Sequence, residues 1–439
     1  MISQLLFLAI LSTGVFLFAK RVAVIRRNIG SGTDWDGSDQ KAERWKTMAK
    51  VALGQGKMTA RPVAGIMHIL IYLGFVIINL EIIEILIDGI FGTHRVFAIL
   101  GPLYDVLIGS FEWLALGVIV ACVVFFVRRN VLALARLTSK DLRGWPSLDA
   151  NIILVVEVLL MFAFLSMNAA DAIAQSRGLD HYVHAGAFPV STWLIPLYDG
   201  LSNAGIIAVE RGMWWFHIIG VLSFLVYVPY SKHFHIILAF PNTFYSNLQP
   251  KGALGNMPAV TKEVQLMMDP NADPFAAAPS SDESPARFGA KDATDLTWKQ
   301  LLEAYTCTEC GRCTSECPAN QTGKLLSPRK IMMSTRDRIE EIGLQREKNG
   351  GTWTGDGKSL LGDWITEEEL WACTSCQACV EACPINISPM GIILDMRRSL
   401  IMEDSKSPES ITTMFNNIEN NGAPWAFPAG SRGDWTQEV

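Results

Sequence analysis

Charge is scarce in this chain, and the gaps in it carry information. Only 18% of the 439 residues are charged while 50% are apolar, and the mean hydropathy of +0.24 is high for a soluble protein. Two of the four connections between its long apolar stretches hold almost no base, Arg95 in one and Arg177 in the other. That excludes them from the positive side of a membrane. Cysteine is nearly missing outside two short runs; the exception, Cys122, reads as a small buried apolar residue. The first apolar stretch lacks the basic start and small-residue cleavage site of a secretory signal, so it reads as a retained span. Gly357-Lys358-Ser359 lacks the earlier glycine of a phosphate-binding loop (Gly351 is one place off), and no apolar strand precedes it, which excludes nucleotide binding there. Nothing in the charge pattern points to nucleic acid.

What is present divides the chain. Five stretches, near Ile2–Ala19, Ala64–Ile90, Ile108–Val127, Ile152–Ala174 and Gly212–Lys232, approach the about 20 apolar residues that span a bilayer. The connections after spans one and three carry fifteen Lys and Arg against two in the others. This asymmetry places the amino terminus outside and the carboxyl-terminal half in the cytoplasm, where thiols stay reduced. Residues Asn271–Ala290, rich in Pro, Ala and Ser, read as a linker. An amphipathic helix then starts near Thr297 and buries Leu301, Leu302 and Tyr305; another starts at Ser327-Pro328 with Ile331, Met332 and Ile339 as its stripe. Gly350–Gly362 reads as a turn-rich connection.

Eight of the nine cysteines fall in two copies of Cys-x2-Cys-x2-Cys-x3-Cys-Pro. This is the bacterial-ferredoxin spacing for [4Fe–4S] clusters, in which the fourth thiolate reaches across to the other cluster. The expected ligand sets are Cys307, Cys310, Cys313 with Cys383, and Cys373, Cys376, Cys379 with Cys317. A zinc reading leaves the third and fourth cysteines and the prolines unexplained, and a disulfide framework suits this spacing less well.

Histidine is the second source of chemistry. His68 lies seven residues beyond Arg61 in span two, roughly 10 Å below the cytoplasmic surface. His233 and His235 lie at the cytoplasmic end of span five, so His68 and one of them, His235 foremost, can hold a b haem between two helices. The competing reading makes His233 and His235 interfacial. His217 stands 18 residues before His235, about 27 Å along a continuous helix, which suits a second haem. Its partner in span two would fall at Ile78 or Asn79, poor iron ligands; His94, His181 and His184 in the outer connections are the substitutes for it, though His94 and His181 read as loop or surface histidines. A second haem stays open. Glu81, Glu84 and Asp88 share one face of span two, at a depth similar to His217 and Arg211. These five are the candidates for an outward-facing quinone site, the other reading being that Glu84 and Asp88 lie in the headgroup layer. Glu157 is a further deep acid without an evident partner.

The membrane half resembles the cytochrome b (gamma) subunit of respiratory nitrate reductase. The resemblance rests on five spans, His68 near the start of span two, and the histidines of Trp214–His217 and Ser231–His235 in span five. That family carries a further His in span two where this chain has Ile78. The cysteine half resembles the C subunit of heterodisulfide reductase, notably over Trp371–Pro384. The tail, Asn416–Trp425 and Arg432–Trp435, is similar to the segment that in fused relatives leads into a cysteine-rich CCG-type domain. This implies a CCG-domain partner like the B subunit of heterodisulfide reductase. A third reading makes the chain a passive wire in an electron-bifurcating or flavoprotein complex, with the flavin on another chain.

The expectation is a mainly α protein, a five-helix transmembrane bundle followed by a cytoplasmic α-helical dicluster ferredoxin-type domain. Residues 1–240 form the cytochrome b-like domain, 241–296 a linker, 297–402 the dicluster domain and 403–439 a tail that docks a partner. The protein would sit in a bacterial inner (cytoplasmic) membrane as an oxidoreductase subunit, exchanging electrons between quinone, haem b, two [4Fe–4S] clusters and a CCG-domain protein that completes the terminal reaction. The competing function is a membrane-anchored ferredoxin without haem or quinone chemistry, a docking and wiring module.

Overall fold

Proline and glycine punctuate the long helices. Pro62 and Pro102 open two of them in the first turn, where a missing N–H is no loss. Gly92, at φ 72°, closes the helix that Pro62 opens. The computed structural model describes residues 1–271 and 287–437, so most of the expected linker core lies outside the described residues. Five helices are long and apolar enough to cross a membrane: α1 (Ile2–Ile29), α2 (Pro62–Phe91), α3 (Pro102–Asn130), α4 (Trp145–Ser176) and α5, whose span runs over Asn203–Tyr230. No strand occurs among the described residues. Their outward faces keep Leu5, Ile66, Phe75, Leu80, Trp113 and Val120 exposed, an apolar surface that suits lipid and not water. Inside, Phe7 of α1 packs on Trp214 at 5.7 Å between ring centres, and only a glycine at 89 leaves room for the Phe7 ring.

Two departures from the expected spans matter. First, α1 runs ten residues further than expected, to Ile29, and these residues dock the second half of the chain. Arg21 pairs with Glu340 at 2.7 Å, and Asn28 donates to the Tyr305 hydroxyl at 2.9 Å. Second, span five does not continue through the last histidines. The α-helix ends at Tyr227, Pro229 follows in a 3-10 turn, and Ser231 is extended, its hydroxyl capping the next turn at the His233 N–H. His235 opens a separate helix, α6 (His235–Phe244). The 27 Å separation of His217 and His235 along one helix is thereby corrected. Proline removes a ladder donor, and Asp149 supplies alternative partners for the freed groups, accepting from Ser231 Oγ at 2.7 Å and Lys232 N at 3.3 Å.

The cysteine half packs on α6 and the end of α1. The boundary expected at 240/241 falls inside α6, whose Asn242 donates to Ile385 O at 2.7 Å. Thr297 forms a capping box with Gln300 and opens α7 (Trp298–Thr306). Ser327 caps α8 (Pro328–Lys348), and Ser388 caps α9 (Pro389–Met402). Leu301, Ile331, Ile339, Ile392 and Met396 are fully buried between them. The Gly350–Gly362 connection wraps the buried Arg338, which pairs with Asp356 and Asp292 at 2.7 Å each. Beyond α9, α10 (Glu409–Asn421) buries none of its residues.

Candidate functional site

Both cysteine runs fold into the same turn. Positive φ occurs at equivalent places, at Glu309 (53°) and Gly311 (71°) in the first and at Ser375 (56°) and Gln377 (60°) in the second. Three of these four are not glycine, and each costs about 1–2 kcal/mol in that region. The repeated turn aims a backbone N–H at sulfur, Ser375 N lying 3.4 Å from Cys373 Sγ, and beyond it Ile387 N lies 3.3 Å from Cys383 Sγ. Cys307, Cys310, Cys313 and Cys383 line one cavity together with Cys379 of the other expected set, walled by Met332, Ile385 and Ile387. On the other side Cys317 sits within electrostatic reach of Cys373 and Cys376. The chain thus brings each fourth cysteine to the opposite run.

Burial pushes the Cys307 and Cys379 thiols up to about 12 and Cys383 up to about 11, neighbouring sulfurs adding to the effect. Thiolates gathered there need bound iron to offset their charge, which fits a cluster. Basic residues of the span connections surround the first cavity. Arg136 donates to Cys310 O at 2.8 Å, and Lys57 reaches Asn386 at 3.1 Å. Arg312 lines the cavity and bonds Lys57 O at 3.3 Å. Sequence reading used the span-connection bases only for orientation and missed this role. The second run is the solvent side, with Cys376 exposed.

His68 and His235 face one another, ring centres 6.3 Å apart and planes at 42°. Two imidazoles holding one metal at about 2 Å each through facing nitrogens set their centres roughly 6 Å apart. His235 Nδ1 lies 3.1 Å from Lys232 O, leaving Nε2 free. His68 Nδ1 is buried without a partner. His233 stands edge-on to His235 at 5.6 Å, and burial pushes it down to about 3. Burial lowers His235 too, so both rings stay neutral, the form that binds metal. Arg312 lies within Coulomb range of His68, so this pair adjoins the first cysteine cavity. His217 is buried inside the bundle with Nδ1 3.0 Å from Leu160 O. Among the described residues its ring neighbour is Phe164, not a second imidazole.

At the far end of the bundle Glu81, Glu84, Asp88 and Arg211 line one cavity together with His94, Arg95, Asp171 and Glu210; His217 does not. Arg95 binds Asp171 and donates to Asn168 at 2.8 Å and Tyr104 at 3.1 Å. Glu84 accepts from Tyr104 and Phe97 N, both at 2.8 Å. Glu84 is thus held by partners within the protein. Asp88 accepts from Arg95 N at 2.7 Å, and Arg211 is taken by Glu210. The surface reading of His94 is corrected. Its side chain is 6% exposed, 3.5 Å from Asp171, because the 93–96 loop folds back onto α4. Cys122 is buried as expected.

Residues 306–387 match the 4Fe-4S dicluster domain family. A protein of Bacillus subtilis named "Probable iron-sulfur-binding oxidoreductase FadF" is 29% identical over all of this chain and 61% of its own length. The EtfAB:quinone oxidoreductase of Syntrophomonas wolfei is 26% identical over 91% of this chain and 55% of its own. The C subunit of a ferredoxin:CoB-CoM heterodisulfide reductase from Methanosarcina mazei is 30% identical over 25% of this chain and 53% of its own. No solved structure matches. The chain carries a dicluster domain and is similar to iron-sulfur oxidoreductases, spanning 55–61% of the length of the two relatives it matches over most of its own.

Proposed function

We propose that this chain is the membrane-bound electron-transfer subunit of a heterodisulfide-reductase-like respiratory complex, working between membrane quinone and a cytoplasmic CCG-domain partner. A haem b and two [4Fe–4S] clusters supply one-electron carriers. Cys307, Cys310, Cys313 and Cys383 would hold the cluster nearer the membrane, and Cys373, Cys376, Cys379 and Cys317 the one nearer the partner. His68 and His235 would hold the haem, and Glu81 with its neighbours would serve quinone at the outer end. The observation that carries this reading is the His68–His235 pair beside the first cysteine cavity, because a plain anchor has no use for paired buried imidazoles. Similarity to a quinone oxidoreductase over most of the chain supports it. In that orientation the basic connections face the cytoplasm of a bacterial inner membrane. Optical redox titration of the purified protein, with and without quinol, tests it. His68→Ala should lose the b-type haem bands and keep the iron–sulfur signals, while His181→Ala keeps both. A native protein with no haem bands would leave the membrane-anchored ferredoxin as the function.

A further inference from the structure

Glu81 is the unpartnered acid of the far-end cluster. It is 3% exposed, its Oε2 makes no hydrogen bond, and it lines the cavity shared with Asp171 and His94. The cavity measures about 20 Å³, room for about one water and too little for a quinone ring. A second cavity of about 480 Å³ lies among loop residues that include Thr93, His181 and Tyr182. His94 lines both. Its Nε2 faces Asp171 at 3.5 Å, its Nδ1 is buried without a partner, and its ring centre is 5.3 Å from that of His181.

We infer that Glu81, His94 and His181 form the proton exit of the far end, running from the buried carboxylate through the His94 imidazole to outer water. The inference rests on the outward quinol oxidation proposed above. A quinol gives up two protons and two electrons to become quinone. The electrons leave singly to the haem and iron–sulfur class of carriers. Each proton released at the outer end reaches solvent by way of Glu81, then one His94 nitrogen as the other releases its own, then His181. The other acids are committed: Glu84 to Tyr104, Asp88 to Arg95 N, Asp171 to Arg95. An imidazole with one nitrogen on a carboxylate and the other free can take and release protons at different atoms. His94 faces Asp171, His181 and Tyr182, with Arg95, Asp88, Glu210 and Arg211 around the shared cavity.

The test uses full-length holoprotein in sealed vesicles. Infrared spectroscopy follows deuterium exchange of the Tyr104 and carboxyl protons after D2O is added outside, without quinol. Stopped-flow optics separately follows haem reduction by added duroquinol. His94→Gln should slow the exchange at least tenfold, and quinol-driven reduction should slow with it. Glu81→Gln should slow reduction while Tyr104 exchange stays fast. If His94→Gln does not fold, His181→Asn gives the same readout from the loop side. Unchanged exchange in both histidine variants overturns the path. Slowed exchange with unchanged quinol reduction keeps the path and rejects quinol as its source.

Discussion

Asp149 accepts hydrogen bonds from Tyr227, from Ser231 and from the Lys232 backbone at the place where span five breaks. Those three contacts turn the chain so that His235 returns to face His68. A charge-assisted hydrogen bond of this kind contributes about 1.5–3 kcal/mol, so Asp149→Ala should weaken haem retention tenfold or more. The haem-to-iron ratio of the purified variant checks this, and an unchanged ratio would free the turn from Asp149. The cysteines give a second prediction at this scale. Cys317 belongs by sequence to the first run but lies with Cys373 and Cys376. Cys317→Ser should therefore damage the second run's cluster and spare the first, as read by electron paramagnetic resonance. Loss confined to the first run's signal would contradict the crossed assignment.

Among the elements, α10 and the segment after it stand apart. Phe415, Ile418, Trp425, Phe427 and Trp435 are all exposed there. Aromatic residues left bare in this way suit a docking surface. Deleting residues 403–439 should leave iron content unchanged and lower affinity for the proposed CCG-domain partner at least tenfold, measured by co-purification and titration. Undiminished binding would place the partner elsewhere. The elements were legible wherever their signals are local. Thr297, and Ser327 with Pro328, each act over a few residues, and each opens a helix where sequence placed it. The break at Ser231 was not legible, because apolar residues continue through Pro229 and hydropathy does not register a cap. The Arg95–Asp171 pair lies 76 residues apart in sequence, so nothing near His94 signalled that its loop would be drawn inward.

The whole molecule puts its acid cluster and its cysteine cavities at opposite ends of one bundle. If quinol is oxidised at the acid end, each electron that reaches the cysteine end against an inside-negative potential costs about 2.3 kcal/mol per 100 mV for a full crossing. Quinol-driven cluster reduction in sealed vesicles should slow under such a potential and recover with uncoupler. A rate indifferent to potential would move the quinone site to the cysteine end and make Glu157 the acid to test. The crossing of the two cysteine runs also reaches back to the ribosome. With the crossed sets proposed above, neither has all four sulfurs until the second run is made, and translation at about 5–20 residues per second separates Cys307 from Cys383 by roughly 4 to 15 s. All five spans emerge first, so the nascent chain is tethered to its membrane before either iron site can be filled. Maturation of the iron sites is then a surface event at the bilayer, delivered to a domain already held in place by α1.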